Sequence, residues 1–218
     1  MITVVDYGLG NVGSMLNMLR KLGHDSEATS SPERIIVAER LIFPCVGAFD
    51  HGIDNLERLG LLEALTHRVL TDRVPILGVC LGAQLMTRAS QEGQRPGLAW
   101  VPGTTVRFFS QCEQTLKVPS MGWNEVRVTG PHPLFEGMFP DPRFYFVHSY
   151  HFALEDPQDV LAVSTYGYEF ASAFAHHNVL GVQFHPEKSH KFGMKLLDNF
   201  GRLTSSSLAS SVTRAGTR

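Results

Sequence analysis

Val74-Pro75-Ile76-Leu77-Gly78-Val79-Cys80-Leu81-Gly82-Ala83-Gln84 is the stretch that decides the fold. Its first six residues are the most continuous strand signal in the chain, and Leu81 to Thr87 reads as helix. A strand apolar along both faces must be covered on both faces, as in a parallel sheet. A strand that runs straight into a helix is the repeating half of a βαβ unit. Within the stretch, Gly78-Val79-Cys80-Leu81-Gly82 places a cysteine where a nucleophile stands between two glycines. A sharp strand-to-helix turn lifts such a side chain out of the sheet, and the glycines relieve crowding around it. The start of the helix favours the thiolate, and the amide of Leu81 is aimed at a developing oxyanion. A lone cysteine here would read as buried packing. Strand, both glycines and helix together point to a nucleophile.

The same alternation extends towards the N-terminus. Ile2 to Val5 is a short apolar run ending in the turn Asp6-Tyr7-Gly8-Leu9-Gly10-Asn11. Val12, Met15, Leu16 and Leu19 recur at helical spacing, and Gly23 stops that helix. Leu41-Ile42-Phe43 is a second strand closed by Pro44. Asn55 to Leu70 carries Leu59, Leu62, Leu65 and Val69 at helical spacing. The second half is richer in strands: 105–109, 125–129, 144–148, 160–165, 171–175 and 179–184, separated by Gly, Pro and Asp turns. Ser189 is placed to cap a last helix carrying Phe192, Leu196, Leu197 and Phe200. The fold class expected is α/β: an open, mostly parallel central sheet flanked by helices, with additional antiparallel strands in the second half. Residues 1–203 read as one domain and 204–218 as a disordered polar tail.

Composition narrows the function classes. The chain has 218 residues, 43% hydrophobic and 18% charged, enough to bury a core without disulfides or metal. Nineteen Lys and Arg against 21 Asp and Glu leave a formal charge of -2, no footprint for nucleic acid or an anionic membrane. No stretch approaches the roughly 20 apolar residues of a membrane span, and the N-terminus reads as a strand rather than a signal peptide. Cys45, Cys80 and Cys112 are three, far apart and without a CxxC pair. That argues against a disulfide framework or a zinc site and for a reducing cytoplasm. No metal or cofactor is expected.

A cysteine nucleophile needs a base, and the base needs a group to orient it. His185-Pro186-Glu187 follows the apolar run 179–184 and offers both. In an extended segment, residues two apart lie on the same side. One histidine among ten means little alone, but beside the cysteine elbow the triplet is specific.

These segments resemble the class I, or triad, glutamine amidotransferases. Asp6 to Asn11, Val46 to Phe49, 97–103, 118–124 and Phe146-Val147-His148-Ser149-Tyr150 extend the resemblance in order from residue 1 to about 203. They are most similar to the branch that serves as a glutaminase subunit in histidine biosynthesis. The resemblance implies Cys80, His185 and Glu187 as the catalytic triad and Leu81 and Val46 as the oxyanion hole. It implies Gly47, Gln84, Ser149 and Tyr150 as glutamine ligands, and Pro119, Met121, Trp123 and Asn124 as partner interface. It further implies L-glutamine as substrate and a (β/α)8-barrel cyclase subunit as the acceptor of ammonia. Two departures stand out: Cys45 replaces the usual glycine of the oxyanion strand, and Ser120 the usual histidine before Met121. They leave open a paralogous glutaminase feeding a cyclase-like partner in surface-polysaccharide synthesis. A free-standing cysteine hydrolase and a binding module without activity are two further readings that these residues admit.

Overall fold

Parallel pairing builds one half of the sheet and antiparallel pairing the other. The computed structural model describes residues 1–109 and 116–208, with Cys45 described by its backbone. Ile2–Val5 (β1), Ser26–Thr29 (β2), Leu41–Cys45 (β3) and Ile76–Cys80 (β4) lie parallel in the order β2-β1-β3-β4. Gly103–Arg107 (β5), Ser120–Glu125 (β6), Arg127–Val128 (β7), Arg143–His148 (β8), Tyr150–Leu154 (β9), Val160–Tyr166 (β10), Tyr168–His176 (β11) and Val179–Val182 (β12) follow. β12 continues the parallel half beside β4. β11, β10 and β7 then add antiparallel, and β9 branches from β11 to carry β5. β6 and β8 form a separate antiparallel pair.

Side chains alternate along each central strand, and the two sets enter two cores. Ile2, Val4, Ile42, Leu77, Val79, Leu180 and Val182 face one side, against Val12–Lys21 (α1) and the C-terminal helix. Val5, Leu41, Phe43, Ile76 and Val179 face the other. There they meet Pro32–Ile35 (α2), Phe49–Arg58 (α3), Leu61–Thr66 (α4) and Leu81–Leu85 (α5). The C-terminal helix is His190–Arg202 (α6). Asn11 caps α1 by accepting the Ser14 amide at 3.2 Å, and Gly23 at φ +79° ends its last turn. No helix of the described residues is long and apolar enough to cross a membrane.

Several local expectations need correction. The helix read over Asn55 to Leu70 is α3, α4 and a π-helical turn His67–Thr71, because Gly60 adopts φ +67° between them. α5 ends at Leu85, short of Thr87. The Thr87 hydroxyl takes the carbonyl of Gln84 at 2.8 Å, and the amides of Leu98 and Trp100 take those of Leu85 and Met86. Those carbonyls are satisfied from outside the helix, so it stops. Ser189 precedes α6 but does not cap it: its hydroxyl donates to the His185 carbonyl at 2.6 Å and accepts from the Tyr145 amide. The expected strand 125–129 shrinks to β7. β2, β6 and β9 were not expected; the first two are largely polar or glycine-containing, and only Ser149 separates β9 from β8. Within the segment 204–218 expected as a tail, Leu208 is buried in the core. Residues 209–218 lie outside the described residues.

Gly78 sets how closely α5 seats on the sheet. A Cβ there would lie 2.6 Å from Ala83 Cα and 2.8 Å from Ala83 N, backbone atoms with little room to yield. Overpacking of this kind costs about 1–3 kcal/mol. Gly78→Ala should lower Tm by roughly 2–12 °C and slow alkylation of Cys80. An unchanged melting curve would show that α5 is not held against β4.

Candidate active site

Three neighbouring parallel strands end together. β3 and β4 pair so that Cys45 stands opposite Cys80, and β4 and β12 so that Val79 stands opposite Val182. Open parallel sheets bind ligands beyond the carboxyl ends of their strands. Here those ends lead into Val46-Gly47, into Cys80, and into Gln183 to Glu187. Cys80 has φ +53° and ψ -117°, a conformation L residues rarely adopt, and its residue is 7% exposed. That is the turn expected of a residue held between strand and helix. Gly47, at φ +138°, likewise occupies a region that favours glycine.

His185 and Glu187 meet as expected, although the segment between them is a 3-10 turn, Pro186–Lys188, rather than extended chain. Nδ1 of His185 lies 3.0 Å from Oε1 of Glu187, with the side chains 2% and 4% exposed. Burial opposes charge on the ring, but the Cys80 sulfur and the Glu187 carboxylate outweigh it and push the imidazole up to about 10. Nε2 makes no hydrogen bond of ordinary geometry among the described residues. Catalytic pairs are often loose until substrate arrives.

A cavity of about 290 Å³ opens over Cys80, near the lower end of the range for small-molecule sites. Val46, Gly47, Leu81 and Gln84 line it from one part of the chain, Ser149 and Tyr150 from another, and Pro119 also reaches it. His185 and Glu187 do not line it. Gln84 is buried, its Nε2 donating to the Tyr150 carbonyl at 3.2 Å and to Gln183 Oε1 at 3.0 Å.

Sequence reasoning missed three polar residues here. Glu92 lines the cavity and accepts the Phe49 amide at 3.1 Å. Burial raises its pKa, against the Phe49 hydrogen bond. His148 lines the cavity as a neutral ring: burial pushes it down to about 4, and Nδ1 donates to the Tyr150 carbonyl at 2.7 Å. Gln183 is fully buried and donates to Cys80 Sγ at 3.6 Å. Its one sequence signal is a polar residue inside the apolar run 179–184.

The expected interface residues diverge. Met121 and Trp123 are 65% and 48% exposed on the outer face of β6. The Trp123 ring stacks on His190 at 5.4 Å and meets Tyr145 edge-on, so it is not core. Asn124 instead donates its Nδ2 to the Thr165 carbonyl within the chain. Ser120 is buried on the inner face.

The fold and this site are those of a glutamine amidotransferase. The family model described as "Glutamine amidotransferase class-I" matches residues 3–203, and the chain belongs to that family. Over 203 residues it is 49% identical to imidazole glycerol phosphate synthase subunit HisH 2 of Pseudomonas aeruginosa, covering 93% of this chain and 100% of the relative. It is 47% identical to the protein of the same name from Methanococcus maripaludis, covering 92% and 98%. A solved glutamine amidotransferase superposes with a TM-score of 0.69 at 18% identity, covering 92% of this chain and 100% of that one.

The raised His185 pKa gives a pH prediction. The free imidazole titrates near 6.5, and the folded one at about 10. The folded state holds the proton more tightly, so the stabilisation is complete below about pH 6.5 and is lost as pH rises towards 10. The Tm advantage of the parent over His185→Asn should therefore shrink between those limits. An advantage that grows with pH would reverse the sign and remove the charged ring from the site.

Proposed function

We propose that this chain is the glutaminase subunit of an imidazole glycerol phosphate synthase, acting in histidine biosynthesis. The observation that carries it is one small cavity lined by Cys80 and the Val46-Gly47 turn, with the buried His185–Glu187 pair beside the Cys80 sulfur. The identity of 49% to a HisH subunit over that relative's full length supports the branch of the family.

The chemistry follows from the geometry. Cys80 sulfur attacks the side-chain amide carbon of L-glutamine, and the carbonyl oxygen gains charge facing the Leu81 amide and the Val46-Gly47 peptide. His185, charged at neutral pH, passes its proton to the departing nitrogen, the C–N bond breaks and ammonia leaves. A γ-glutamyl thioester remains. Water then attacks it, giving its proton to His185 and releasing glutamate and the Cys80 thiolate. Glu187 holds the ring throughout. Glu92 and the Gln84 carbonyl oxygen suit the α-ammonium, and the Ser149 and Tyr150 segment the α-carboxylate.

Ammonia released into water would protonate and cease to be a nucleophile. We assign its acceptor to a (β/α)8-barrel cyclase subunit that makes imidazole glycerol phosphate and aminoimidazole carboxamide ribotide. The docking edge is the outer face of β6, where Met121 and Trp123 expose apolar surface beside His190. Ser120 points away from that face, so its departure from the family pattern leaves the edge itself unchanged. A free thiol nucleophile fits the reducing cytoplasm.

Cys80→Ser in the complex should abolish synthesis from glutamine and retain synthesis from ammonia. Loss of both would point to misfolding or failed assembly. Turnover of the histidine-pathway nucleotide by the complex separates this reading from a paralogue serving another cyclase. Trp123→Ala should weaken partner binding by about 2 kcal/mol, roughly 30-fold in Kd, with the Tm of the isolated chain unchanged. A large fall in that Tm with unaltered binding would move the ring from interface to packing.

A further inference from the structure

We propose that Gln183 is a positioning residue that orients both the Cys80 sulfur and the cavity-lining amide of Gln84. The inference rests on Cys80 being the nucleophile. Four contacts form one directional chain. His148 Nδ1 and Gln84 Nε2 both meet the Tyr150 carbonyl, at 2.7 and 3.2 Å. The same Gln84 nitrogen meets Gln183 Oε1 at 3.0 Å, and Gln183 Nε2 meets Cys80 Sγ at 3.6 Å.

The direction follows from the one member that cannot turn round. The two ends of an amide side chain are told apart only by their partners. A backbone carbonyl accepts and never donates, so the end of Gln84 facing Tyr150 is its NH2 group. That group also faces Gln183, so the facing end of Gln183 is oxygen. The opposite end is then NH2, and it can only donate to the Cys80 sulfur. Flipping Gln183 would set NH2 against NH2 and oxygen against sulfur, within a fully buried pocket where both are costly. The backbone N–H of Gln183 donates to the Ser172 carbonyl at 2.9 Å, which fixes the point of the chain from which the side chain reaches both partners.

Two consequences follow at the reacting atoms. The sulfur receives an N–H donor from Gln183, separate from the charged His185 ring nearby, which stabilises negative charge on it and fixes its direction. Both hydrogens of the Gln84 NH2 are occupied, so its oxygen is the atom left for the cavity. The wall therefore offers an acceptor, which suits an ammonium group and disfavours a carboxylate at that place. Gln183 touches no substrate. It acts through Gln84 on binding and through Cys80 on chemistry.

Gln183→Met keeps the length and removes both hydrogen bonds. Gln183→Glu keeps an oxygen towards Gln84, but it offers Cys80 a donor only when protonated, a form that burial favours. The full chain is treated with iodoacetamide and labelling of the Cys80 peptide is timed by mass spectrometry. Glutamine kcat and KM are measured in the complex with the partner. Gln183→Met should label about 10-fold more slowly at neutral pH, the loss expected for one hydrogen bond to a charged group, with a raised KM. Gln183→Glu should keep KM near the parent value and lose kcat, and its labelling rate relative to the parent should climb as pH falls from 8.5 to 6.

Labelling of Gln183→Met at the parental rate would overturn the proposal. So would a pH-independent Gln183→Glu ratio with kcat and KM moving together in both variants. If Gln183→Met does not fold, the pH dependence of the Gln183→Glu ratio decides alone. If Cys80→Ser still hydrolyses glutamine, the nucleophile assignment fails and this proposal with it. A parent that depends on Cys80, with variants that label normally, would reject Gln183 alone.

Discussion

Backbone hydrogen bonding between β3, β4 and β12 holds everything else in place. Parallel register sets Cys45 beside Cys80 and Val182 beside Val79. Strands about 4.8 Å apart deliver their exits to one edge with a spacing that side chains can bridge. The oxyanion segment, the sulfur and the imidazole come from residues some 35 and 100 apart in sequence, yet the ladder leaves them side by side. The covered faces of the sheet protect that register. A slip of one residue would turn Leu77 and Val79 away from α1 and α6 and towards α5.

The nucleophile turn depends on this support. Cys80 at φ +53° is a strained position, of the kind that costs about 1–3 kcal/mol and persists only where the surroundings over-determine it. The surroundings are visible. α5 packs on Gly78 with no space for a methyl group, and its C-terminal carbonyls are taken by the returning segment around Leu98 and Trp100. Tyr145 and Ser189 tie β8 to the His185 turn: the His185 N–H donates to the Tyr145 carbonyl, and the Ser189 hydroxyl links the Tyr145 N–H to the His185 carbonyl. The small β6–β8 sheet thus braces the base and also presents Trp123 outward.

Two histidines near one sulfur are driven in opposite directions by their surroundings. His148 packs among Phe108, Phe146 and Phe170 and is pushed down to about 4. His185 is as deeply buried, yet Glu187 and Cys80 push it up to about 10. Desolvation acts on both rings, and only the one with acidic partners overcomes it. Residue type alone therefore does not tell a neutral structural histidine from a charged one. The chain positions flanking each ring do so only in part, since the Glu187 contact is local and the Cys80 contact is not.

What the sequence determined by itself was local in character. The βα elbow around Cys80, the His185-Pro186-Glu187 triplet, the apolar strands of the parallel half and the glycine at Gly47 are each legible within a few residues, because period, turn chemistry and spacing are local signals. Strands without an apolar signature, such as β2 and β6, were not legible, because only pairing with a neighbour makes them strands. The break at Gly60 was masked by leucines that keep helical spacing across it. Gln183, Glu92 and His148 entered the site only through tertiary structure. Gln183 reads as a polar interruption of a strand until β12 is set beside β4, and Glu92 as a loop carboxylate until it meets the start of α3. Long-range pairing chose their neighbours, and for a polar side chain the neighbours decide whether it is solvated, structural or placed against the reacting sulfur.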